Sequence, residues 1–368
     1  MDSEADIDVE RVDIAPQGDL VLIVGATLEL RVHSFVMRLH APDFFNALLG
    51  PNFAEGQTQG SAAEPKRINL PEDGAKGMKF LCCILHLRND LMLSPPSGPE
   101  FNELAVAAEK YNCIDPIRTY LGNWIDSIKL VARRDAASYL SGLCVLDDAR
   151  RFSEMTKQLI LHVPGMKWLP NRFADDPKNS DLQSIKGAVI SHARAIYGKV
   201  EAAINDAVNP LVTSLASEYD HYVNEMPFEE QKDYMQLSQP GYDSDEDMDD
   251  KSNKKVCDYL HRYVVLQLKA LTDANIYPVS AHSLSLQMLQ ITVANFEIAE
   301  DRSIKRCWSE WGQPCNVDRT DNFWPDIRKM QRTIGSIDCS LCLDCVKAGG
   351  WNDGKCRVHP NKEKAAEY

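Results

Sequence analysis

The chain has 368 residues, of which 44% are hydrophobic, and carries a net charge of −14. This length allows two or three domains with their own cores. The sequence contains no run of about 18 apolar residues, so no transmembrane helix is predicted. The absence of a basic stripe argues against direct binding to nucleic acid. The acidic N-terminus is unlike a signal peptide, so we expect the cytoplasm or the nucleus, where the eleven cysteines are thiols or metal ligands.

The negative charge is concentrated in two short segments. Residues 1–13 contain six acidic residues and one arginine, and residues 243–250 contain six acidic residues and no basic one. The rest of the chain therefore contributes only −3 to the total of −14. We expect residues 1–17 to form a flexible acidic tail and residues 240–255 a disordered acidic loop.

Two short strands followed by two short helices are predicted between residues 19 and 55. Leu20–Val24 is an apolar run of strand length, and residues 28–32 alternate between apolar and polar side chains, so an antiparallel hairpin is predicted. Ser34 can cap the first helix, and Pro42 stands where the second helix would begin.

A third strand and two further helices follow along the chain. The strand is predicted at residues 66–73 and a buried helix at 78–87. A second helix is predicted over residues 101–113. One face of that helix collects four apolar side chains, Phe101, Leu104, Ala108 and Tyr111.

These elements resemble the BTB/POZ domain in order and spacing. The resemblance rests on the opening pattern DLVLIVG…LELRVHSFVMRLHAPDFFNALL, the third strand and the two later helices. It implies an α+β domain over residues 18–128, a small sheet capped by helices. The chain looks most like BTB proteins of filamentous fungi, which often carry long helical extensions. Asp19, His33 and Ser34 match positions that the family fills with the same or similar residues, and we expect them to be structural.

The resemblance also implies protein partners. In the family, a loop between the second helix and the third strand recruits a cullin-type ubiquitin-ligase scaffold through a hydrophobic and an acidic residue. Phe53 and Glu55 occupy the matching place, although the long polar loop 56–65 follows directly. Alternatively, Phe53 closes the core under the second helix. A further alternative is a BTB homodimer that acts as a scaffold or transcription-associated regulator without a ligase role.

Residues 129–335 are predicted to be mostly helical, as one domain or two. Long helical patterns cover residues 182–208, 256–271 and 284–300. On the adaptor hypothesis, this region holds the protein that the ligase would modify.

Residues 336–368 form a Cys/His cluster that predicts a structural zinc site. Cys342-x2-Cys345 and Cys356-x2-His359 are two close-spaced pairs separated by ten residues. Zinc prefers four nitrogen or sulfur ligands in a tetrahedron, and such pairs present two ligands from one tight turn. Cys339 is a competing ligand, because Cys339-x2-Cys342 has the same spacing. Reduced cysteines without a metal are the alternative.

Catalysis is the function class that the sequence favours least. The chain contains no glycine-rich phosphate loop, G-x-S-x-G elbow or H-E-x-x-H motif. We therefore predict an interaction protein, not an enzyme, with protein partners and without a nucleic-acid, membrane or small-molecule ligand.

Overall fold

The computed structural model describes residues 9–58, 60–125, 135–162, 180–225, 258–278, 284–298, 323–349 and 356–357. The chain divides into two compact units, of which the first comprises Met1–Arg194 together with Cys339–Tyr368 and the second Ala195–Asp338. The predicted acidic loop 240–255 lies outside the described residues. None of the helices in the described ranges is both long enough and apolar enough to cross a bilayer.

A four-stranded mixed sheet forms the N-terminal part of the first unit. Its strands are β1 (Glu10–Asp13), β2 (Leu20–Val24), β3 (Leu28–Val32) and β4 (Lys66–Leu70), in the spatial order β1-β3-β2-β4. Strands β2 and β3 form the predicted antiparallel hairpin, whereas β4 pairs parallel to β2 and β1 pairs parallel to β3. The predicted α+β class is confirmed for this part of the chain.

Burial follows the alternation that the sequence shows. In β3 the side chains of Leu28, Leu30 and Val32 are buried, and the polar residues between them are half-buried. Strand β2, which lies between β3 and β4, is buried at four of its five positions. The hairpin turn has positive φ angles at Gly25 and Ala26.

Residues 10–13 fall in the segment that was predicted to be a flexible acidic tail, but they form the edge strand β1. The Glu10 carboxylate lies 2.7 Å from the Lys79 ammonium, which compensates its charge. The Glu10 N–H donates to the Thr27 carbonyl at 3.0 Å, and Ile14 is buried beyond the strand end. The acidic composition of this segment did not indicate a strand, because the sequence does not show that Lys79, from a distant helix, compensates the charge of Glu10.

Eight helices belong wholly to the described part of the first unit. They are α1 (Ser34–His40), α2 (Pro42–Leu48), α3 (Ala75–Leu85), α4 (Gly98–Lys110), α5 (Ile114–Ile125), α6 (Ala136–Val145), α7 (Ala149–His162) and α12 (Leu343–Lys347). The four side chains predicted to share one face of the helix at 101–113 are all buried: Phe101, Leu104, Ala108 and Tyr111.

Helix α4 packs against both α3 and α6. It begins with a capping box in which Ser97 and Glu100 satisfy the first backbone N–H groups. The ring of Phe101 stacks on that of Tyr139 in α6, with centroids 5.5 Å apart. The close approach requires Gly142, since a Cβ atom there would lie 2.5 Å from the Phe101 ring. This packing joins the sheet-containing part to the helices that follow.

The boundary between the two units falls within the long helix α8 (Ser180–Glu225). The sequence predicted this helix only over residues 182–208, but it continues through Pro210. Val208 and Leu211 are buried on either side of the proline. Burial of this apolar face outweighs the hydrogen bond that a proline removes from a helix.

The second unit contains three further described helices, α9 (Asp258–Asp273), α10 (Leu286–Ala294) and α11 (Phe323–Gly335). Helices α10 and α11 pack together, and a glutamine side chain from each helix donates a hydrogen bond to a backbone carbonyl of the other. Gln290 donates to the Ile334 carbonyl at 3.1 Å, and Gln331 donates to the Val293 carbonyl at 3.0 Å. The helical prediction holds for these segments.

Candidate functional site

Three cysteines from the C-terminal segment converge in the first unit. The sulfur atoms of Cys342, Cys345 and Cys356 all lie within 4.8 Å of one another, and the Cys345 and Cys356 sulfurs are 3.5 Å apart. Cys342 and Cys356 are buried, and Cys345 is half-buried. This group, called the cysteine centre below, can hold a metal ion.

Helix α12 positions two of the three sulfurs. Cys342 is its N-cap residue and Cys345 lies in its first turn, so the two side chains start from one short turn of backbone. The helix packs on α7, with Leu343 fully buried. Just ahead of it, the Leu341 N–H donates to the buried Thr156 hydroxyl of α7 at 3.0 Å. The centre is thus built on the surface of α7.

Burial controls the protonation of two of these thiols. Burial raises the pKa of Cys342, and it raises the pKa of Cys356 to about 12. Without a cation both groups are therefore neutral thiols at pH 7. A divalent metal ion reverses this preference, because its charge stabilises the thiolates that coordinate it.

Three of the four predicted ligands come together in the structure. Of the predicted ligands Cys342, Cys345, Cys356 and His359, the structure brings the three cysteines together, and His359 lies outside the described residues. The competing ligand Cys339 is fully buried but does not belong to the group. Cys339 and Cys345 have the same sequence spacing from Cys342, but only Cys345 joins it in the group of clustered sulfurs.

Sequence reasoning missed an ion-pair network next to the cysteine centre. The Arg357 guanidinium contacts the Asp147 carboxylate through two nitrogens, at 2.6 and 2.9 Å, and approaches Asp344 at 2.5 Å. Lys347 adds a further contact to Asp147 at 2.7 Å. These contacts lower the pKa of Asp147 to about 2, chiefly through the hydrogen bonds from Arg357. No local sequence signal pairs Asp147 with Arg357, because 210 positions separate them.

Two backbone features fix this network in place. Asp147 follows helix α6 with a φ of 55°, the left-handed conformation that ends many helices. Within the C-terminal segment, the Arg357 N–H donates to the Asp344 carboxylate at 2.7 Å. Since Asp344 lies between Cys342 and Cys345, this bond holds the chain at Cys356 beside the first cysteine pair.

The predicted partner-binding residues lie between α2 and β4. Phe53 precedes a 3₁₀ turn at Ala54–Gly56, and half of its surface (50%) is exposed. Glu55 is half-buried within that turn. Phe53 is therefore not one of the fully buried core side chains.

The predicted structural residues Asp19, His33 and Ser34 meet at the start of α1. Ser34 does not cap the helix as predicted, because it is the first helical residue. The N-cap residue is His33, and its side chain makes no capping hydrogen bond to the helix. The Asp19 carboxylate instead accepts from the Ser34 N–H at 2.8 Å and from its hydroxyl at 2.5 Å. Burial raises the pKa of Asp19, but these hydrogen bonds outweigh it and the net shift is downward.

Helix α1 also exposes two large apolar side chains. Phe35 is 73% exposed and Leu39 is 61% exposed, while Met37 is buried on the opposite side. Residues four apart lie on one face of a helix, so Phe35 and Leu39 form a continuous exposed apolar face. The sequence showed these residues as apolar helix positions but did not reveal which face the core would leave uncovered.

Comparisons of the chain with models of protein families, with curated proteins and with solved structures found no match.

Proposed function

We propose that this protein is a protein-interaction module whose residues 18–128 form a BTB/POZ domain of the filamentous-fungal type. The order of strands and helices supports this proposal: a hairpin, two short helices, a strand parallel to the hairpin's first strand, and then α3 and α4. In this proposal the protein is not an enzyme, and its place is the cytoplasm or the nucleus.

The exposure of Phe53 is the observation that carries a more specific role. An aromatic side chain that is half exposed beside a short turn is available to a partner, and Glu55 adds an acidic group in the same turn. We propose that these residues contact a cullin-type ubiquitin-ligase scaffold. The helical region, residues 129–335, would then hold the protein that the ligase modifies.

Titration calorimetry tests the adaptor role. The full chain is titrated with the N-terminal domain of the host's cullin scaffold, as wild type and as Phe53→Ala. We expect micromolar or tighter binding that Phe53→Ala weakens at least tenfold, because buried aromatic residues dominate interface energies. The control is Leu93→Ala, since Leu93 is 94% exposed at a different place in the sequence. A folded wild-type chain that does not bind would contradict the proposal.

A homodimerising scaffold or transcription-associated regulator is the second candidate, favoured by the exposed face of α1. Phe35 and Leu39 leave an apolar surface that a second copy of the chain could cover. Sedimentation velocity of wild type and Phe35→Ser distinguishes the candidates. A dimer that the substitution dissociates supports the scaffold, whereas a monomer over the micromolar range removes it.

For the cysteine centre we propose a structural zinc ion. With Zn–S bonds of about 2.3 Å, tetrahedral sulfur ligands lie about 3.8 Å apart. The separation of 3.5 Å between the Cys345 and Cys356 sulfurs is close to this value. His359, as the fourth ligand, would close the site, and closed zinc sites stabilise folds instead of catalysing reactions.

Metal analysis of the purified protein tests the zinc proposal. We expect about one zinc ion per chain, as for a single four-ligand site, and its loss in Cys345→Ser. Cys144→Ser is the matched control, because Cys144 does not belong to the cysteine centre. A folded wild-type protein that carries no zinc and takes none up would overturn the proposal.

A further inference from the structure

We propose that the cysteine centre and the Asp147–Arg357–Asp344 network act as one clasp, in which metal binding fastens the C-terminal segment to the turn between α6 and α7. Arg357 is the positioning residue of this clasp, and it does not coordinate the metal itself. The inference rests on the proposed metal site.

The connection between the two parts is covalent and short. Arg357 directly follows the ligand Cys356, and Asp344 directly precedes the ligand Cys345. The Arg357 N–H and its guanidinium both bond to the Asp344 carboxylate, the N–H at 2.7 Å. A metal held by Cys345 and Cys356 would thus restrain the two chain sections that this bond joins.

The guanidinium then links both sections to the body of the unit. Arg357 makes a two-pronged contact with the Asp147 carboxylate and also donates to the Asp147 carbonyl at 3.2 Å. Paired Arg–carboxylate contacts have a fixed geometry, so they require Arg357 to lie in one place. The α6–α7 turn sets that place, because the Asp147 N–H donates to the Cys144 carbonyl at 3.3 Å and the Asp147 carbonyl accepts from the Ala149 N–H at 3.2 Å.

Within the described part of the segment, the short helix α12 does not supply enough apolar burial to hold it alone. Helix α12 has five residues, too few for stability on its own, and Leu343 is its one fully buried apolar side chain. The metal centre and the ion pairs each require the same placement of residues 356–357. Whichever forms first removes part of the entropy cost of the other, so the two must strengthen each other reciprocally.

Zinc affinity is the direct test. Full-length wild type, Arg357→Gln and Asp147→Asn compete with a chromogenic chelator for Zn²⁺ at pH 7. We expect both variants to bind Zn²⁺ about tenfold more weakly, the scale on which groups around metal ligands act. The matched control is Arg150→Gln on α7, which removes a nearby positive charge whose ion pair is with Glu154, 3.9 Å away, and which is not one of the clasp residues.

A double variant and a second readout separate the clasp from a general loss of stability. Arg357→Gln combined with Asp147→Asn should weaken Zn²⁺ binding by less than the product of the single effects, because both break one contact. Added Zn²⁺ should slow hydrogen exchange at residues 341–347 in wild type and much less in Arg357→Gln. The circular dichroism of the metal-free variants should equal that of metal-free wild type.

The outcomes distinguish this inference from the zinc proposal. If wild type binds Zn²⁺ and the affinities of Arg357→Gln and Asp147→Asn stay within twofold of it, the clasp is wrong and the zinc site stands. If wild type binds no Zn²⁺, both proposals are wrong. Equal weakening in Arg150→Gln would also overturn the clasp, because the effect would then follow from surface charge alone.

Discussion

The sheet-containing part at residues 9–125 and the C-terminal segment at 339–357 belong to one unit, but different interactions hold them. The first buries a continuous apolar core of strands and helices, including Leu22, Leu30 and Phe101. The second is attached by the hydrogen bond from the Leu341 N–H to the Thr156 hydroxyl, by ion pairs and by three clustered sulfurs. An apolar core needs no metal and is little affected by charge screening, whereas the C-terminal attachment should respond to both.

The largest effect should come from the apolar core. Phe101→Ala removes a fully buried ring that stacks on Tyr139, and such truncations cost about 3–5 kcal/mol of unfolding free energy. Urea denaturation of the full chain measures the change. Leu93→Ala is the control: Leu93 is 94% exposed, so its loss should change stability by about 0.5 kcal/mol at most. Similar losses for both would contradict the assignment of the core.

The next effect tests the contact between α4 and α6. Gly142→Ala places a methyl group 2.5 Å from the Phe101 ring, which should cost about 1–3 kcal/mol of unfolding free energy. Gly187→Ala in α8 meets no atom within 4 Å and should raise the unfolding free energy by about 0.5–1 kcal/mol, since alanine favours helix. The same denaturation experiment measures both, and two changes of equal sign would refute the predicted contrast.

A smaller effect concerns the attachment of the C-terminal segment. Thr156→Val removes the hydroxyl that accepts from the Leu341 N–H, at a cost of about 1 kcal/mol of unfolding free energy. Hydrogen exchange at Leu341 should quicken, while exchange in β2 and β3 should not change. Thr272→Val on the exposed side of α9 is the control, because that hydroxyl bonds only within its own helix. Unchanged exchange at Leu341 would speak against the anchor.

The last effect is a pH dependence inside the sheet-containing part. His86 accepts the His33 N–H at Nε2, 3.1 Å away, so Nε2 must be unprotonated, and its Nδ1 lies 2.9 Å from the Cys82 carbonyl. Burial lowers the pKa of His86 from its ordinary value of 6.5; the hydrogen bond to the Cys82 carbonyl opposes this shift, and the charges of His33, His40 and Arg88 add to it. Below about pH 6.5 the unfolded chain therefore binds a proton that folded His86 resists.

Stability should consequently fall as the pH drops below 6.5 and level off below the folded-state pKa. Urea denaturation between pH 7.5 and 5 measures this slope, which His86→Gln should reduce. An identical slope in His86→Gln would show that other groups cause the pH dependence.

Much of the fold could be predicted because its signals are local. The alternation in residues 28–32, the Pro42 start of α2 and the apolar face of α4 all follow from neighbours on one strand or helix. The close pairing of Cys342 with Cys345 is local in the same sense. These features depend on periods of two or about 3.6 residues, which the sequence displays directly.

The sequence by itself thus determined the hairpin, the helical faces and the candidate metal ligands. Only the tertiary structure decided that Asp19 would serve the start of α1, that β1 would join the sheet, and that Asp147 would receive Arg357. The physical reason is that a polar or charged side chain suits many partners equally well. Its actual partner is chosen by the packing of apolar segments that brings distant parts of the chain together.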